Sequence, residues 1–209
     1  MVFFSIMATN QKRHYFTELA RRWDELPSPS DATEKVRRFV DRAIRPGARR
    51  VLDVGGGTGI LLLALLERCD PGAQLVELDL AESMLAESAR KFSDSRVRRV
   101  CADARHLPLA PGSFDRVLCF GVLPHLGDAA DALRGFFQVL RVGGVLAVGH
   151  LMGSRELNAF HQSLGEPVAG DVLPPAETLA AVLRNLGASE IVAEESPAWY
   201  FVRAEKRTP

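Results

Sequence analysis

Cysteine is scarce: Cys69, Cys101 and Cys119 are the only three in 209 residues, and no two stand at CxxC spacing. That leaves no disulfide framework. Each sits in or beside an apolar run, so reduced, mostly buried thiols are expected, as in a cytoplasmic protein. Net charge is absent too, with 26 Lys plus Arg against 26 Asp plus Glu. Without a basic excess there is no electrostatic footprint for nucleic acid or an anionic membrane. Up to about residue 50 the chain is rich in Arg and Lys, but acids are interspersed there, which describes a solvated helical face. No apolar run reaches the roughly 18 residues of a membrane span. The opening MVFFSIMA is apolar but has no basic flank and is too short for a signal peptide, and Met7 is a second candidate start. Also missing is any complete GxGxxG, which speaks against a nicotinamide dinucleotide site.

What is present suits one medium α/β domain with a small appendage: 47% of residues are apolar. Tyr15, Phe16, Leu19, Trp23 and Leu26 recur at helical spacing and predict a helix over 13–26, broken by PSPS. Val36, Phe39, Val40, Ala43 and Ile44 form the stripe of a second helix, stopped at Pro46-Gly47. Strands and helices then alternate. RRVLDVG, AQLVELDL, RVRRVCAD, FDRVLCFG and GGVLAVGH read as strands. Helices are expected over 58–68, in AESMLAESARKF and in DAADALRGFFQVLR. This order implies a doubly wound, Rossmann-like, mostly parallel sheet. Helices over 154–164 and 175–186 follow. The tail SEIVAEE and AWYFVRAE forms a hairpin across Ser196-Pro197, so one late strand runs antiparallel. The expected division is a helical cap over 1–45 and a main domain over 46–209, with 151–175 as an insertion at the substrate site.

VLDVGGGTGI places four glycines in five positions directly after a buried strand. Such a turn lets backbone approach a ligand, and a helix beginning at Thr58 would add free N–H groups. The pattern is GxGxG, at Gly55, Gly57 and Gly59. Asp53 would repel a pyrophosphate but suits an ammonium. Asp79, rather than Glu77, stands at the carboxyl edge of the second strand, where an acid accepts ribose hydroxyls. Asp103, after the third strand, can accept from an exocyclic amine of adenine. An amino-acid end, a ribose and an adenine together describe S-adenosyl-L-methionine.

As an ordered set, VLDVGGGTG, ELDLAESML, CADARHLPLAPGSFDRVL and VLRVGG resemble the class I S-adenosylmethionine-dependent methyltransferases. The resemblance is to the branch that includes menaquinone and ubiquinone biosynthesis methyltransferases, and it runs from about Pro46 to His150. It implies a seven-stranded sheet with an antiparallel last strand and methyl transfer to a small molecule. It also implies cofactor contacts at Asp53, Gly55, Gly57, Asp79, Leu80, Asp103 and Ala104, with Phe120 lining the pocket. The sequence departs from the family in the turn before the fifth strand, Leu140–Gly144, where a proline usually precedes the paired glycines. Pro124-His125 also replaces the Asn/Asp-Pro-Pro-aromatic motif of enzymes that methylate base amino groups.

For the acceptor, strand ends offer His150 first and His125 second as a general base. The 151–175 segment adds Arg155, Asn158, His161 and Asp171, with Ser154 as a helix cap. His125, His150, His161 and Asp171 show no known metal spacing, and no metal is expected. The aromatic first helix is either a lid or a helix packed permanently on the sheet edge. Two other functions remain open on sequence: an S-adenosylmethionine-binding regulator without turnover, and a nicotinamide-dependent oxidoreductase.

Overall fold

A computed structural model describes residues 2–207; Met1, the other candidate start, lies outside them. Seven strands form one sheet: β1 (Arg50–Val54), β2 (Gln74–Asp79), β3 (Val97–Cys101), β4 (Phe114–Phe120), β5 (Leu140–His150), β6 (Ala188–Ser196) and β7 (Trp199–Lys206). Their order is β3-β2-β1-β4-β5-β7-β6. β1 to β5 pair in parallel, and β7 runs antiparallel to both β5 and β6. The order reverses beside β1, so the crevice at its carboxyl end is where this topology places a ligand.

Alternation along the strands sorts the core into two layers. Leu52, Val117 and Leu146 face one side, packed by α5 (Ala129–Val139) and α7 (Ala176–Asn185) through Phe136 and Leu179. Val51, Leu118 and Phe201 face the other, against α2 (Ala32–Ala43) and α3 (Leu62–Arg68). The predicted stripe of α2 is buried there, with the Phe39 ring 4.8 Å from Phe120 and 5.9 Å from Phe201. The 1–45 segment is therefore not uniform. α2 belongs to the body of the domain, whereas α1 (Val2–Leu19) and the 3-10 turn Ala20–Glu25 lie over the sheet's carboxyl edge.

Four local expectations are corrected. α1 begins at Val2, well before Arg13, and tightens into the 3-10 turn instead of continuing to Leu26. α3 begins at Leu62, not Thr58, because positive φ at Gly57 and Gly59 keeps the chain turning. No helix N-terminus therefore adjoins the glycines. Leu140–Gly144 is not a separate turn but the start of β5, with a register shift opposite Phe114 and Arg116. Asp115 holds this place by accepting from Arg141 Nε at 2.5 Å and from the Arg49 and Arg50 amides at 2.8 and 2.7 Å. Finally, Ser154 is the first residue of α6 (Ser154–Leu164) rather than its cap. Glu195 of β6 takes the capping role: it accepts from Ser154 N at 2.7 Å and from Ala176 N, at the start of α7, at 2.8 Å.

Candidate functional site

The turn after β1 is held from below. The amides of Gly55 and Gly56 both donate to the Leu78 carbonyl, at 2.7 and 3.1 Å. Asp79 divides its carboxylate between two loops, accepting from Gly57 N at 3.0 Å and from Ala81 N at 2.8 Å. Positive φ at Gly55 (68°) and Gly57 (59°) explains two glycines. The third, Gly56, is required by space: a Cβ there would lie 2.4 Å from Glu77 Cγ. Sequence spacing singled out positions 55, 57 and 59 and missed it. Gly59 faces Ser88 of α4 (Glu82–Lys91) and Phe92 just after it, behind the turn.

Three acids converge under this turn. Asp53 and Glu77 are register partners, with Asp79 two residues on. Glu77 is fully buried; its Oε2 is bonded by Ser88 Oγ at 2.6 Å and Arg99 Nε at 3.0 Å, while its Oε1 has no partner. Asp53 has no such help. Burial first, then the charges of Glu77 and Asp79, push its carboxyl well above the usual range, and its Oδ2 has no partner. A buried carboxylate in that condition suits a cation supplied by a ligand.

Above the turn lies a cavity of about 840 Å³. One end is lined by Gly55, Gly56, Gly57, Asp79, Leu80 and Phe120. Asp103 and Ala104 flank it; burial raises the Asp103 carboxyl, but the bonds from Arg105 outweigh this and hold it low. Asp53 and Gly59 do not line the cavity. The other end is lined by His125, His150, His161, Leu157, Phe160 and Val168. α1 and the 3-10 turn roof the space with Lys12, Tyr15, Phe16 and Trp23. Phe16 packs edge-on against both Trp23 and His125, at 5.8 and 5.2 Å between ring centroids.

The insertion supplies less than its residue types suggest. Asn158 is occupied by the backbone of Leu173, donating to its carbonyl at 3.1 Å and accepting from its amide at 2.8 Å. Arg155 points to solvent. Sequence reasoning missed Lys12, although it stands four residues before Phe16 and eleven before Trp23, on the same helical stripe. A lysine on an apolar stripe was the available signal.

Two histidines here are held neutral. Burial first, then the neighbouring His125 and His161, lowers His150 from 6.5 to about 3. Burial also lowers His125, and Asp171 only partly restores it. In the unfolded chain both take a proton near the ordinary value; in the folded chain they do so only at lower pH. Their stability contribution is therefore complete above about pH 6.5 and is lost as pH falls toward 3. The raised carboxyls of Asp53, Glu77 and Asp79 act in the opposite direction over the same range, so the comparison is with a variant: the gap in denaturant midpoint between wild type and His150→Gln is expected to change between pH 7 and pH 4.5, with the variant losing less on acidification. A gap that does not change with pH would contradict the burial of the His150 ring.

The methyltransferase domain family matches residues 52–148. The demethylmenaquinone methyltransferase of Thermus thermophilus is 41% identical over 140 residues, 64% of this chain and 62% of that protein. The ubiquinone biosynthesis O-methyltransferase of Xanthomonas axonopodis pv. citri is 32% identical over 189 residues, 82% of this chain and 77% of that protein. A methyltransferase structure from Aquifex aeolicus superposes with TM-score 0.67 at 16% identity, over 92% of this chain and 97% of that one, a likeness of fold. The chain thus spans under two thirds of the Thermus relative's length. No helix among the described residues is long and apolar enough to cross a membrane.

Proposed function

The chain belongs to the class I S-adenosylmethionine-dependent methyltransferases, and on that premise we propose that it methylates a small, largely apolar acceptor bearing a hydroxyl or acidic ring carbon. One observation carries the reading: the glycine turn and the three histidines open into the same cavity of about 840 Å³. A site for one drug-sized ligand is usually roughly 300–1,000 Å³, so the upper part of that range admits a nucleoside cofactor with a modest acceptor.

The residues present fit the cofactor. Gly55, Gly56 and Gly57 allow close backbone approach, and Asp53, buried behind the turn with one oxygen unpartnered, is the acid beneath it that favours an ammonium over a phosphate. Asp79 keeps lone pairs for ribose hydroxyls beyond those given to Gly57 and Ala81. Asp103 and Ala104 serve the adenine, with Leu80 and Phe120 as apolar walls, while Gly59 acts only by shaping the turn. The bound cofactor supplies a methyl group made electrophilic by its sulfonium. The chain's own work is to hold the acceptor close, exclude water beneath α1, and receive a proton at the histidine end. α1 with the 3-10 turn acts as the cap, and 151–175 as the acceptor wall. Relatives named for demethylmenaquinone and for ubiquinone biosynthesis support an apolar, ring-bearing acceptor.

A panel of phenols, hydroquinones, amines and thiols, incubated with the protein and S-adenosylmethionine, tests this. S-adenosylhomocysteine is expected to form with hydroxylated aromatics. Cofactor binding without product from any of them would favour a regulator that kept the pocket and lost turnover.

A further inference from the structure

The three histidines of the acceptor end are not equivalent, and their hydrogen bonds sort them. The Met152 amide donates to His150 Nδ1 at 3.2 Å. That nitrogen carries a lone pair, so neutral His150 bears its proton on Nε2 and is a donor there. His125 is the reverse. Its Nδ1 lies 2.6 Å from Asp171 Oδ2, and an ionised carboxylate only accepts, so Nδ1 holds the proton and Nε2 the lone pair. His161 Nδ1 donates to the Asp171 carbonyl at 2.9 Å, and its ring is buried with its centroid 5.0 Å from that of His125.

Asp171 is 8% exposed and divides its side chain between two partners. While one oxygen takes His125, the other takes Lys12 Nζ at 2.5 Å. Lys12 also donates to the His125 carbonyl at 3.0 Å. The partners come from three separate pieces: Lys12 from α1, His125 from the 3-10 turn Leu123–Leu126, and Asp171 from the segment between α6 and α7. Lys12 and His125 both line the cavity.

We propose that His125 Nε2 is the general base for an acceptor hydroxyl, that Asp171 is the residue positioning it, and that Lys12 latches the base to α1. The proposal rests on the methyltransferase reading and names within it the proton acceptor and the class of acceptor, an O–H. The acceptor's proton passes to His125 Nε2 while its oxygen forms the bond to the methyl carbon. The C–S electron pair stays on sulfur, and the imidazolium, partnered by Asp171, returns its proton to water. His150, a cavity-lining residue whose free ring position is a donor, donates to the acceptor rather than deprotonating it. The carboxylate that orients the base also fastens the roof, so opening α1 removes Lys12 and loosens Asp171. The charged or titratable groups around His125 are Asp171, Lys12, His161 and His150.

Nitrogen-15 NMR of the histidine side chains, with hydrogen exchange of α1, tests this without turnover. In the wild type, His125 is expected as the neutral Nδ1–H tautomer and His150 as the Nε2–H tautomer. Asp171→Asn is expected to mix the His125 tautomers, shift its titration to lower pH and speed exchange of α1 about tenfold, equivalent to about 1.4 kcal/mol. Lys12→Gln is expected to speed exchange similarly while keeping the tautomer. An Nε2–H tautomer at His125, or a His125 titration and α1 exchange unchanged in Asp171→Asn, would overturn the proposal. A merely structural Asp171 would lower the unfolding midpoint without moving the His125 titration. S-adenosylhomocysteine binding, followed calorimetrically on the same wild-type sample, judges the methyltransferase reading separately, because it depends on the glycine turn.

Discussion

Asp79→Ala is expected to weaken S-adenosylhomocysteine binding by on the order of 100-fold. Hydrogen bonds to a charged partner are each worth about 1.5–3 kcal/mol net, and a ribose offers two hydroxyls to this carboxylate. The same substitution strips the Gly57 amide of its acceptor at 3.0 Å and the Ala81 amide of its acceptor at 2.8 Å, so both loops that frame the cofactor end loosen. Asp79→Asn separates the two effects. Its carbonyl still accepts from one loop, but the amide cannot serve two hydroxyl donors, so affinity should fall between wild type and alanine. Titration calorimetry, with the unfolding midpoint of each variant as a control, reads the result. Wild-type affinity in Asp79→Ala would refute the ribose assignment.

Gly56→Ala carries the second large effect, and its origin differs. Gly56 has no positive φ to protect; what forbids a side chain is Glu77, whose Cγ would lie 2.4 Å from the new Cβ. Glu77 is tethered, because Ser88 Oγ at 2.6 Å and Arg99 Nε at 3.0 Å both hold its Oε2 in a fully buried position. The turn must move instead. Overpacking of this kind costs about 1–3 kcal/mol, and displacement of the Gly55–Gly57 backbone should abolish most cofactor binding. Gly57→Ala is the contrast. Its Cβ would meet nothing closer than 3.9 Å, so its cost is confined to holding alanine at φ 59°, about 1–2 kcal/mol. The expected order of binding is wild type, then Gly57→Ala, then Gly56→Ala. Unimpaired binding in Gly56→Ala would show that Glu77 yields.

Much of this architecture was legible because it is local. The near-continuous apolar runs of β1, β2 and β4 and the buried stripe Val36, Phe39, Val40 and Ala43 in α2 state their own burial. Gly55 and Gly57 were legible as a ligand turn because a strand ran straight into them. What escaped the sequence depends on distant partners. Gly56 is required by Glu77 on the neighbouring strand, and the apparent helix at Thr58 gives way to a turn that Ser88 and Phe92 of a later segment help shape. Ser154 has a capping residue's chemistry, yet Glu195 caps its helix from 41 positions away. Lys12 and Asp171 are 159 positions apart, and only the closed fold brings them to one carboxylate. The histidines were visible as residue types; their tautomers were not, since these follow from a backbone amide at Met152 and a carboxylate at Asp171.

The most direct measurement is calorimetric titration of the protein with S-adenosylmethionine, S-adenosylhomocysteine and NADH. Micromolar binding of the first two and none of NADH is the expected result, because the cradle joins backbone approach to an unpartnered Asp53 and lacks GxGxxG. Binding of NADH alone would contradict the account from Asp53 onward.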